Sequence, residues 1–145
     1  MREQIYAALW AIVIAAPGIA GEFVTMSRYL RHIEDVAAAE MPALFMFQTG
    51  ESWVRIGKGI PAKRTLNANL VFYVNTPSGD GTLPSTLMNG AMDAVDALFN
   101  TPPGLVQTLG GLVEHVYIAD GDVRFYEGLL QDKSPVVIPV RILIP

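Results

Sequence analysis

Four of the ten Lys and Arg residues, Arg55, Lys58, Lys63 and Arg64, crowd into one short stretch around Gly57–Lys58–Gly59. A glycine-flanked lysine is the raw material of a phosphate loop, in which backbone N–H groups and an ammonium cradle an anion. The spacing fails that chemistry. Ser52 stands where the leading glycine belongs, and no Ser or Thr follows the lysine to hold magnesium. The four cations flank a turn between two strands instead, which concentrates their charge at the end of a hairpin. Such a run is ordinarily a solvated loop. Its functional reading is docking to an acidic partner surface or a nucleic-acid backbone, with faster encounter as the main gain. Arg28 and Arg31, beside Tyr29 and His32, form a smaller basic patch.

The remaining reactive residue types are sparse. His32 and His115 are the only histidines, far apart and without a carboxylate array at ligand spacing. Asp120–Gly121–Asp122 lacks the further oxygen ligands and closing Glu of a calcium loop, and reads as a turn. Asp93 and Asp96 share a helix face, but it is the polar face, with no apolar pocket to raise an acid's pKa. No serine carries the flanking glycines of a nucleophile elbow. With no cysteine, thiol catalysis, disulfides and Cys–zinc sites are excluded. No catalytic residue, metal ligand or cofactor site is expected, and the chain reads as a non-enzyme.

Composition points toward surface burial. Charged residues are 17% of the 145, against about 25% in a typical soluble domain. Hydrophobic residues reach 51%, so some apolar surface is expected to be buried between subunits. The net charge of −4 argues against a general nucleic-acid binder. The apolar run 7–16 is too short to span a bilayer and is read as a retained, soluble N-terminal helix, although it could pass for a signal-peptide core.

Two helices and a set of strands must position these groups. Residues 1–16 read as a helix with Ile5, Leu9, Ile12 and Ala16 in one stripe, widened by Tyr6, Trp10 and Val13, and ended by Pro17–Gly18. Strands are expected at 22–30, 43–48, 52–56 and 62–75. The last alternates cleanly, with Leu66, Ala68, Leu70, Phe72 and Val74 on one face. After a loop at 76–81, a second helix starts at Thr82 or Leu83. Its stripe is Leu87, Ala91, Ala94, Val95 and Leu98, and residues 101–104 stop it. Strands at 112–119 and 122–128 are expected to pair through Asp120–Gly121. A polar turn at 131–134 precedes a closing strand in which Val136, Ile138, Val140, Ile142 and Ile144 face one way. Val137, Pro139 and Leu143 face the other, and Pro139 calls for an edge, a bulge or a covering partner. This order predicts an α+β fold: a mainly antiparallel sheet, two principal helices packed on one face, and a protruding hairpin.

Together these segments resemble the tail terminator, or tail-completion, proteins of long-tailed bacteriophages. The likeness runs over nearly the whole chain, read as one domain of residues 1–145. It is carried by the first helix ending in Ala16–Pro17–Gly18, and by Arg31-His32-Ile33-Glu34-Asp35-Val36 leading into Met41-Pro42-Ala43-Leu44-Phe45. Leu66–Asn75, the helix Leu87-Met88-Asn89-Gly90-Ala91-Met92-Asp93-Ala94-Val95 and the closing Ile138-Pro139-Val140-Arg141-Ile142-Leu143-Ile144-Pro145 complete it.

The resemblance implies a subunit that assembles with itself into a ring, typically a hexamer. The ring caps the tail tube protein and meets a neck or head-completion protein at the tail–neck junction of a virion assembled in the host cytoplasm. DNA passes through its channel without sequence-specific binding, and no membrane or cofactor is involved. Candidate interface residues are Arg55, Lys58, Lys63 and Arg64 at the hairpin, Phe45 and Phe47 on the short apolar strand, and Val137 and Leu143 on the closing one. The alternative is a small ligand-binding domain or enzyme whose pocket, between sheet and helices, is lined by Trp53, Tyr73 and Tyr126.

Overall fold

The computed structural model describes residues 1–76, 83–99, 106–121, 123–126 and 132–145. Helix α1 (Arg2–Ala15) is followed by β1 (Thr25–Ser27) and two 3-10 turns, Ile33–Asp35 and Ala38–Glu40. Then come β2 (Ala43–Val54), β3 (Lys63–Asn75), α2 (Pro84–Phe99), β4 (His115–Ile118), β5 (Arg124–Phe125) and β6 (Lys133–Ile144). The strands make one sheet in the order β1-β2-β3-β6-β4, with β5 also on β6. Only the short β1–β2 pair is parallel. The fold is α+β, as the patterning predicts.

Period-two alternation decides which face is dry. Leu66, Ala68, Leu70, Phe72 and Val74 of β3 join Val136, Ile138, Val140, Ile142 and Ile144 of β6 in a single core. Against it α1 lays Ile5, Tyr6, Leu9 and Val13, and α2 lays Met88, Ala91, Val95 and Phe99. Both helices therefore cover the same face. The α2 stripe is rotated from the expected one: Met88 and Phe99 are fully buried, whereas Leu87 stays 43% exposed. Gly18 lets the α1–β1 connection touch α2. It has φ +88, and a Cβ there would sit 3.0 Å from the Ala94 Cβ.

The opposite face is covered only at one end. Ile33, Val36 and Met41 of the 3-10 segment pack on Ala43, Phe45, Val71 and Tyr73. Polar groups clamp this cover. The Tyr73 hydroxyl donates to the Arg31 carbonyl at 2.8 Å, and the Lys133 ammonium donates to the Ile33 and Val36 carbonyls at 3.3 and 2.9 Å. Arg31 binds both Glu40 oxygens at 3.0 and 3.1 Å.

Three strand expectations need correction. The expected strands 43–48 and 52–56 are one strand, β2, with a register shift between Gln48 and Gly50. Thr49–Gly50 is a bulge, not a boundary. The expected 112–119 and 122–128 hairpin does not form among the described residues: β4 and β5 each pair with β6, in the same direction, and not with each other.

Prolines on β6 accompany the break between β4 and β5. In a strand a residue's N–H and C=O point to the same side. The carbonyls of Pro135 and Pro139 accept from Tyr126 at 3.0 Å and Ala119 at 2.9 Å, so both missing donors also face β4 and β5. The seven positions from Ile118 to Arg124 are matched there by only four on β6, from Val140 to Val137. β6 is thus an interior strand whose prolines face the side on which its neighbours β4 and β5 are interrupted. Most of the expected loop at 76–81, the helix stop at 101–104 and parts of 122–128 and 131–134 lie outside the described residues.

Candidate assembly surface

The β2–β3 ladder closes at Val54↔Lys63, and the last β3–β6 rung is Arg64↔Ile144. Residues 55–62 run beyond both, so the projection is an eight-residue loop and not a long two-stranded arm. Gly57 makes it compact. Ile60 N–H bonds the Gly57 carbonyl at 3.3 Å, and a Cβ on Gly57 would lie 3.0 Å from the Ile60 Cδ1.

The four expected cations gather here but are not equivalent. Lys63 lies 3.8 Å from Glu114, and the Arg64 guanidinium sits over the Trp53 ring, 5.3 Å from its centroid. Arg55 and Lys58 are exposed and form no ion pair among the described residues. A cleft of about 380 Å³ opens between Trp53, Arg55, Lys63, Arg64 and the chain end at Pro145.

Charge alone gives an incomplete picture of this end. Trp53, Val54, Ile56 and Ile60 are all exposed, Ile56 to 76%. A turn bracketed by two isoleucines, where polar residues are usual, was the signal available in the sequence. Exposed Trp and Arg on one small surface are the residue types that dominate binding energy at protein interfaces.

The other candidates are dispersed. Phe45 is fully buried under the 3-10 segment, and Phe47 and Val137 are partly buried against the same cluster. Leu143 is half-buried on the uncovered part of that face, opposite Thr65 and His115. His115 contacts the Tyr117 ring, with centroids 5.0 Å apart. His32 accepts the Glu34 N–H at 3.2 Å and helps to cap the first 3-10 turn.

The expected Arg28 and Arg31 patch is neutralised within the chain, Arg28 by Glu3 and Arg31 by Glu40. Hydrogen bonds from Arg28, Arg31 and Arg2 hold the Glu3, Glu40 and Glu51 carboxyls below the usual carboxylate range. Burial pushes the Tyr6 and Tyr73 hydroxyls above the usual phenol value.

The pocket expected between Trp53, Tyr73 and Tyr126 does not form. Trp53 pairs with Arg64 at the hairpin end, on the helix side of the sheet. Tyr73 lies at the other end and on the other face, buried under the 3-10 segment. Nine positions along β3 separate Arg64 from Tyr73, roughly 30 Å at 3.3 Å per residue and too far for one pocket. Asp93 and Asp96 are exposed on α2. Among the described residues no three His, Cys, Asp or Glu side chains gather as a metal site, and no helix is long and apolar enough to cross a membrane.

No family model and no curated protein matches this sequence. Among solved structures, the chain is similar to one from the virion of a native gene transfer agent particle. The two share 10% identity over 97% of this chain and 90% of that one, with a TM-score of 0.49.

Proposed function

We propose that the chain is a structural virion protein of one domain that performs no reaction and associates with itself into a ring, typically of six subunits. The ring caps a phage tail tube and presents the surface that joins the head, while DNA passes through its channel. Two supports are independent of each other. The sequence resembles the tail terminator proteins along nearly its whole length. The single structural observation that carries the reading is the hairpin end, where Trp53, Val54, Ile56 and Ile60 stay exposed among Arg55, Lys58, Lys63 and Arg64. A monomer gains nothing by leaving four large apolar side chains in water at one tip, whereas an interface buries them.

Charge reversal tests this. Arg55→Glu combined with Lys58→Glu reverses two exposed hairpin cations that form no ion pair among the described residues, and is expected to weaken assembly by about tenfold or more at low salt. The defect should shrink as ionic strength rises, because exposed charges are screened. Light scattering over a salt series checks it. Assembly indifferent to both the substitutions and salt would contradict the role given to the hairpin.

A further inference from the structure

The far end of the sheet holds an apolar cleft of about 260 Å³ between α2, the α1–β1 connection and the end of β3. Phe23, Pro42, Val74 and Leu87 line it, and Phe23 stacks on Phe72 with centroids 5.3 Å apart. Glu22 stands at its wall and makes no ion pair among the described residues. Gly90 lines it as well, in the middle of α2, where glycine costs a helix roughly 1 kcal/mol relative to alanine. A Cβ on Gly90 would meet nothing within 4 Å. No packing among the described residues requires that glycine, and its missing side chain leaves the space of the cleft open.

We propose that this cleft receives the hairpin end of a second copy of the chain, with Ile56 and Ile60 entering it and Arg55 and Lys58 facing Glu22. The inference rests on the self-assembly reading above and names the surface that the hairpin meets. Character and charge match: an exposed apolar knob carrying Arg55 and Lys58, and an apolar hole walled by Glu22, none of the three in an ion pair among the described residues. Position matches too. The knob follows β2 and precedes Lys63, while the cleft contains Val74 and Pro42, so the length of β3 separates them. That is roughly 40 Å for thirteen strand residues. No copy can fill its own cleft, and each contact leaves one free knob and one free hole. Such a head-to-tail junction is heterologous, and closes into a ring when its rotation returns on itself.

The logic gives a capping experiment. Ile56→Asp spoils the knob on an exposed loop and leaves the cleft intact. Gly90→Phe plugs the hole at an exposed helix position and leaves the knob intact. Sedimentation velocity is expected to show large assemblies for the unaltered chain and monomers for either variant, with association about a hundredfold weaker. An equimolar mixture retains one good junction per pair and is expected to stop at a dimer. Circular dichroism confirms that both variants keep the fold. Variants that assemble like the unaltered chain, or a mixture that stays monomeric, would overturn this junction while leaving the ring reading intact. An unaltered chain that never self-associates would overturn both.

Discussion

Arg31 reads from the sequence as half of an exposed basic patch, yet its guanidinium closes on both Glu40 oxygens and on the Asp35 carbonyl at 2.7 Å. Glu40 also accepts the Ala37 N–H at 2.8 Å. Nothing in helical or strand periodicity announces a partner nine residues away across two 3-10 turns, so the neutralisation was not legible. Its pH dependence follows from the depressed Glu40 carboxyl. A group whose folded pKa lies below its unfolded value stabilises above the unfolded value and loses that contribution as pH falls through the folded one. The 3-10 cover is therefore expected to loosen in acid, below the usual carboxylate range. Hydrogen exchange at the Ala37 amide, corrected for intrinsic rates, reads this directly, and protection unchanged by acid would contradict it. Tyr73→Phe removes the buried donor to the Arg31 carbonyl. It is expected to cost about 1 kcal/mol in urea unfolding.

Period two made β3 and β6 readable almost residue by residue, because each has one face wholly inside the core. The helices were readable as elements, but the α2 stripe was offset. Leu87 and Met88 are apolar neighbours at α2's start, and only packing into the shared core decides that Met88 turns inward. The Asp120–Gly121 signal misled for a different reason. A turn sequence fixes a local bend, whereas the pairing partner of both β4 and β5 is β6, chosen by the whole sheet and not by the turn. The expected strand at 22–30 contains β1, which is only Thr25–Ser27, and three residues carry no signal of its parallel pairing with β2.

Two predictions belong to these elements. Leu9→Ala, at a fully buried α1 position, is expected to cost about 2–5 kcal/mol by calorimetry or denaturant melting. Gly90→Ala in α2 is expected to stabilise by about 0.5–1 kcal/mol, because its added methyl meets open space. Destabilisation by that substitution would mean the cleft is needed for folding and not for docking.

In the molecule as a whole, the two surfaces proposed to meet lie at opposite ends of the sheet. One carries exposed isoleucines, a tryptophan and cations, and the other is an apolar cleft beside a carboxylate, with Arg55, Lys58 and Glu22 in no ion pair among the described residues. The low charge content made an unusual surface legible in the sequence, and the cation cluster made one end legible. The cleft was not, because its walls come from Glu22–Phe23, Pro42, Val74 and the Leu87–Ala91 turn, brought together only by the fold. The proposed self-association draws on the same apolar burial that folds the chain, applied between copies. Sedimentation velocity of the unaltered protein over a wide concentration range tests that claim most directly. The account predicts monomer converting to one discrete closed species of about six subunits, as a heterologous contact that closes requires. A single monomeric boundary at every concentration would contradict it.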